Sequence, residues 1–161
     1  DASVQEIKDC ARAAGFTGNI AQAPLLTYMP IKSRMQGIAL KLDTRDIKDR
    51  GKEASDAIGT LHFSHWVPFD RDAIGFFTIF CGDFTKYIQD FTDKTSFVFD
   101  SVFPHVEDAP PTPIQKNADA FYKWALDYNY PPIGFYSAYP GLSVQDILAL
   151  LADSKSQPAT S

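Results

Sequence analysis

An α+β fold built on a four-stranded antiparallel sheet is the architecture this chain predicts, and three observations carry the prediction. Short stretches of alternating apolar residues are interleaved with stretches whose apolar residues recur at helical spacing. Their order is strand, helix, strand, strand, helices, strand, helix, which is the split βαβ, or ferredoxin-like, arrangement with extra helices before the fourth strand. Helices on one side of such a sheet leave the other face bare, and that face carries Phe, Trp or Tyr on three of the four strands. A second copy of the sheet packed against it, giving a homodimer, is the expected cover.

Each element has its own justification. Residues 3–14 read as a short helix with Val4, Ile7, Ala11 and Ala14 on one face and Gly15 as its stop. From Phe16 to Arg34 the periodicity dissolves into an apolar arm carrying Leu25, Leu26, Tyr28 and Met29 and punctuated by Pro24 and Pro30. Such an arm is expected to lie across a neighbouring surface, on its own domain or on another subunit. The first strand is GIALKL, residues 37–42, where Ile38, Leu40 and Leu42 alternate. A polar helix follows from Thr44 to Ile58, with a thin stripe of Ile47, Ala54 and Ala57.

TLHFSHWV (60–67) and FFTIFC (76–81) are two strands close enough to form a hairpin, the second apolar on both faces as in a strand covered from both sides. Asp83 is placed to cap a helix whose Phe84, Tyr87, Ile88 and Phe91 fall at i, i+3, i+4 and i+7. A further helical stretch carries Phe99, Val102 and Phe103 up to Pro104. After the breaker EDAPPTP (107–113), a helix runs from Ile114 to Tyr128, and Pro131 and Pro132 end it. GFYSAY (134–139) reads as the last strand, and Ser143 caps a final helix with Val144, Ile147, Leu148 and Leu151 on one side. The organisation expected is therefore an N-terminal helix and arm (1–34), one α+β domain (35–152) and a disordered tail (153–161).

Composition narrows the function. The 161 residues are 45% hydrophobic and include 13 Phe, 7 Tyr and 2 Trp, enough for a core without disulfides or metals. Fifteen Lys and Arg against 20 Asp and Glu give a net charge of −5, and no basic stripe exists to neutralise phosphates. Nucleic acid is thus not an expected partner. No apolar run approaches the roughly 18 residues of a membrane span, so a soluble protein is expected; its compartment stays open, with the cytoplasm slightly favoured. Two cysteines, Cys10 and Cys81, exclude a disulfide scaffold and a Cys-only zinc site, and Cys81 reads as a buried, inert thiol. The chain starts at Asp1 rather than Met, as expected of a processed product or a fragment. Motifs of serine hydrolases, P-loop NTPases and dinucleotide-binding enzymes are missing.

Three histidines remain as candidates for chemistry. His62 and His65 are three apart on one strand, so a period of two points them to opposite faces: His62 with Ser64 and Trp66, His65 with Leu61, Phe63 and Val67. His62 is either a half-buried, hydrogen-bonded histidine or a catalytic acid/base. His105 follows Pro104 beside Phe97, Phe99 and Phe103. It is either a histidine at a helix C-terminus, favourably placed in the helix dipole, or an axial haem ligand in a mostly apolar pocket. No ligand spacing for a closed metal site is present. Asp83 reads as an N-cap. Trp66, Phe77, Tyr136 and Tyr139 read as core, as dimer interface, or as the walls of a cavity for a flat hydrophobic ligand.

LHFSHWV with the apolar strand after it, GDFTKYIQDF and FYSAYPGLSVQDI resemble signature segments of the dimeric α+β-barrel superfamily. The branch concerned is bacterial, and resembles and sometimes accompanies haem peroxidases and catalase-like proteins. The resemblance spans residues 37–150. It implies a barrel closed across two subunits, and a peroxidase- or monooxygenase-like enzyme acting on a small molecule in an apolar cavity between sheet and helices. The histidine of the LHF segment recurs in that family and is His62 here, the candidate catalytic residue. Haem is the candidate cofactor and His105 its candidate ligand. The alternatives are a binding protein for an apolar small molecule, without turnover, and a structural subunit that docks through its N-terminal arm.

Overall fold

Three antiparallel strands, six α-helices and two 3-10 turns make up the computed structural model, which describes residues 20–44, 47–70, 72–130, 132 and 134–156. The predicted helix at 3–14, Cys10 and the tail beyond Ser156 lie outside the described residues. β3 (Ala73–Gly82) is the central strand, with β1 (Ile20–Pro30) on one side and β2 (Leu61–Phe69) on the other. Both pairings are antiparallel, so β1 and β2 run in the same direction, joined by α1 (Arg34–Asp43) and α2 (Ile47–Asp56).

The arm read at residues 16–34 contains a strand instead. Ala23, Leu25, Thr27 and Met29 are all buried and point to the helical side. The alternation was masked because the intervening Pro24, Leu26 and Tyr28 are apolar as well. Pro24 and Pro30 suit this position because β1 is an edge strand, where a missing N–H costs little. Conversely, residues 37–42 are helical, not a strand. Ser33 caps α1 by accepting from the Gln36 amide, and only Gly37 and Leu40 are buried, at helical spacing. Met, Gln, Ala, Leu and Lys in that stretch are strong helix formers, and six residues of alternation are too few to outweigh them.

The hairpin of β2 and β3 is as expected but longer, with Asp70 in the left-handed region (φ 54°) at its turn. Gly75 is required there by space: a Cβ on it would sit 2.7 Å from the rings of both Phe69 and Phe77. Asp83 caps α3 (Phe84–Lys94) by accepting from the Lys86 amide at 3.0 Å. α3 buries Phe84, Tyr87, Ile88 and Phe91 against the sheet. α4 (Ser96–Val102), a 3-10 turn (Phe103–His105), a second one (Ile114–Lys116) and α5 (Ala118–Asp127) complete that layer. Its core is aromatic: Phe80 stacks on Tyr87 with centroids 4.2 Å apart, and Phe99 meets Phe76, Phe91, Phe103 and Phe121 at 5.0–5.5 Å.

GFYSAY at 134–139 is not a strand. Asn129 is buried, and the free edge of β1 is already engaged: the Leu26 amide donates to Asn129 Oδ1 at 3.1 Å and the Tyr130 amide to the Leu26 carbonyl at 2.7 Å. The sheet therefore has three strands among the described residues, not four, and residues 134–139 cross its other end as an irregular segment. α6 (Val144–Ser156) follows, lying on the face opposite the other helices. No described helix is long and apolar enough to cross a membrane.

Candidate functional site

One residue too many in β2 shapes the site. Leu61 pairs with Phe80 on the helical side, yet Phe63 pairs with Ile79 on the outer side, so His62 is the extra residue of a β-bulge. The bulge breaks the period of two on which the sequence prediction rested. Ser64 and Trp66 do face the helices, pairing with Thr78 and Phe76, but His62 does not share their face. It lines an outer cleft together with Phe63, while His65 is exposed opposite Phe77 on that same outer face. The two histidines are therefore not on opposite faces of the strand.

α6 roofs this cleft. Ser143 and Asp146 form a reciprocal cap: the Ser143 hydroxyl and amide donate to Asp146 Oδ2 at 2.6 and 2.9 Å, and the Asp146 amide donates to Ser143 Oγ. Those donors hold the Asp146 carboxyl below the ordinary aspartate range, the Ser143 hydroxyl contributing most. Gln145 Nε2 donates to the Gly59 carbonyl at 3.1 Å, and Gln22 Nε2 donates to the carbonyls of Tyr139 and Leu142. These bonds tie the start of α6 and the segment before it to both sides of the sheet.

Between roof and sheet lies a cleft of about 690 Å³, floored by Ile79 and Phe63 and walled by Tyr136, Tyr139, Leu142, Ile147, Leu150 and Leu151. A recess of about 560 Å³ adjoins it, sharing His62, Phe63 and Ile147. Polar side chains on the lining of the larger cleft are His62, Gln22, Ser137 and Ser154, with the phenols of Tyr136 and Tyr139. His62 Nε2 is 3.1 Å from the Ala21 carbonyl, which only accepts, so Nε2 carries the proton and Nδ1 is the acceptor of the neutral ring. Chemically the cleft offers broad apolar contact and one oriented imidazole. Among the described residues, no group of three or more His, Cys, Asp or Glu is placed to hold a metal.

The other sequence candidates fall elsewhere. His105 is buried at the end of the 3-10 turn, with Nδ1 bonded to Gln36 Oε1 and Nε2 2.8 Å from Asp43 Oδ2. Both ring nitrogens are thus engaged by α1, and this arrangement does not fit an axial haem ligand, which needs one of them for iron. Trp66 faces the helices, 4.3 Å from Phe76, and Phe77 packs edge-on against Phe69 at 6.1 Å on the outer face. Tyr136 and Tyr139 do line the cleft. Cys81 is a free, buried thiol.

Sequence reasoning missed Gln22 and the roof residue Leu150, and read Leu151 only as part of the apolar side of a helix. The signal for Gln22 was the polar gap between Ala21 and Ala23 in an otherwise apolar strand. No family model, curated protein or solved structure matches this chain.

Proposed function

We propose that the cleft between the outer sheet face and α6 binds an apolar small molecule bearing one hydrogen-bond donor, which His62 Nδ1 accepts. The observation that carries this reading is the pairing of a recess of about 690 Å³ with a single imidazole whose tautomer the Ala21 carbonyl dictates. Apolar walls with a few orienting polar groups are the usual constitution of small-molecule sites. A peroxidase- or monooxygenase-like reaction on the bound molecule extends the reading. It draws on the resemblance of the LHFSHWV, GDFTKYIQDF and FYSAYPGLSVQDI segments and gives His62 the part of acid/base.

N-phenyl-1-naphthylamine tests the binding: it is apolar, fluoresces in apolar surroundings and has one N–H donor. Saturable enhancement is expected, weakened about tenfold by His62→Ala, the worth of one hydrogen bond near 1.4 kcal/mol. Leu151→Asp should abolish it and His65→Ala leave it unchanged. Equal affinity in wild type and His62→Ala overturns the role of His62, and a signal that never saturates overturns the site.

A second reading concerns assembly. Tyr28, Phe69 and Phe77 form an aromatic row on the outer face away from α6, with Tyr28 43% and Phe69 40% exposed. An uncovered row of this kind favours pairing with a second copy. The strand order β1-β3-β2 fits a ferredoxin-like domain in which the bridge at Asn129 stands where the fourth strand would lie. Sedimentation should give a dimer that Phe69→Asp converts to monomer; a wild-type monomer at micromolar concentration overturns this.

A further inference from the structure

The helical side of the sheet holds a second cavity, of about 360 Å³, beneath α2. Its floor is the aromatic cluster itself: Trp66 lies 4.3 Å from Phe76 and 5.5 Å from Phe99, and Phe91 meets Phe76 at 5.7 Å. Phe76, Phe91 and Phe99 are buried and Trp66 is half-buried, and above Trp66 lies α2. It contributes Ile47, which rests by Trp66, and then Gly51, Lys52, Ser55 and Asp56. A further recess of about 320 Å³ opens on the other flank of the same Ile47 and Trp66. Among the described residues, Ile47 and Trp66 thus form the wall shared by the two spaces.

Gly51 keeps the space open without any steric need to be glycine. Among the described residues, a Cβ there would meet Ile47 Cγ2 alone, at the ordinary distance of 3.6 Å. Glycine inside a helix is unfavourable relative to alanine, and here it leaves space beside Trp66, the one half-buried ring of a floor whose Phe76, Phe91 and Phe99 are buried. Among the described residues the charges at the mouth are Lys52 and Asp56, which pair with each other on the exposed face. Ser55 and Ser64 supply hydroxyls at the rim. Flat apolar faces with neutral hydroxyls at one edge are complementary to a flat aromatic molecule with one hydroxyl.

We propose that this cavity is a second small-molecule site, separate from the His62 cleft, and that it takes a neutral phenol of two fused rings stacked on Trp66. The probe is 2-naphthol added to the wild-type protein with ¹⁵N-labelled tryptophan, which gives one indole N–H signal for each of Trp66 and Trp124, assigned with Trp66→Phe. The Trp66 signal should move saturably while that of Trp124, buried against Phe103 and Phe121, stays in place. Gly51→Leu fills the cavity from above and Ser64→Phe from the strand, and each should raise the Kd at least tenfold; two variants guard against one failing to fold. His62→Ala should leave the titration unchanged. An unmoved Trp66 signal overturns the proposal, as does a shift that survives in whichever blocked variant folds, or one that His62→Ala removes.

Discussion

Replacing Tyr87 by Phe deletes one oxygen atom from behind the cleft floor. Its hydroxyl donates to Thr78 Oγ1 at 2.7 Å, and the two residues are 0% and 1% exposed. Burial pushes the phenol far above its ordinary range, so it remains a donor at every pH at which the protein is handled. The ring keeps its stack on Phe80 in the variant, so packing is nearly unchanged. The cost is then that of a buried hydroxyl on Thr78 deprived of its donor, about 1–3 kcal/mol. Thr78→Val alone strands the phenolic hydroxyl instead, for a similar about 1–3 kcal/mol. The double variant removes both partners and leaves apolar groups of like shape, so its loss should be smaller than the sum by about 1–3 kcal/mol. Urea unfolding followed by tryptophan fluorescence measures all three. A loss of about 2 kcal/mol also corresponds to about 4–8 °C in Tm for a chain of this size. Strict additivity, or a single variant as stable as wild type, refutes the reasoning. Thr78 and Ile79 are consecutive on β3, so the bond that fixes the first sets the position of the second, the cleft floor.

Other perturbations read other parts of the fold. Asn129→Ala removes the acceptor for the Leu26 amide and should cost about 1–3 kcal/mol in chemical denaturation, whereas a neutral change would mean that water replaces it fully. Gly75→Ala should cost about 1–3 kcal/mol, because the Phe69 and Phe77 rings must swing away from the new methyl; an unchanged unfolding midpoint refutes this. Asp146 has a lowered folded-state value, so its contribution to the α6 cap is full above the ordinary aspartate value and is lost as pH falls through the lower, folded one. In an NMR titration, Ser143→Ala should move the Asp146 midpoint upward toward that of a free aspartate; an unmoved midpoint argues against the cap.

Where the sequence was legible, one signal dominated. β2, β3 and α3 carry long apolar patterns with clear punctuation, Asp83 at its cap position among them. Where it misled, two periods competed. GIALKL satisfies alternation over six residues, but Ser33 supplies a cap and only Leu40 needs burial, so the helix wins. In β1 the solvent side is as apolar as the core side, and alternation is invisible when both phases are greasy. GFYSAY has strand composition, but the β1 edge beside Leu26 is already taken by Asn129 and Tyr130. A strand is a property of two segments, and composition reports only one. The cleft was half legible: Tyr136, Tyr139 and His62 were candidates, while the face on which His62 lies depended on a bulge that no pattern of residue types announces.

That bulge makes His62 an insertion in the sheet's grammar rather than a substitution within it. Leu61 and Phe63 already pair in alternating phase with Phe80 and Ile79, so a β2 lacking residue 62 would be a regular strand with the same inward and outward residues on either side of the gap. Nothing in the pairing of Ser64 with Thr78 or Trp66 with Phe76 refers to residue 62. The imidazole can thus be removed by deleting one codon, with the inner and outward pairing on either side of it unchanged. By the same logic, a change of length at the start of β2 is a second route, besides substitution, to a chain of this architecture without the cleft histidine.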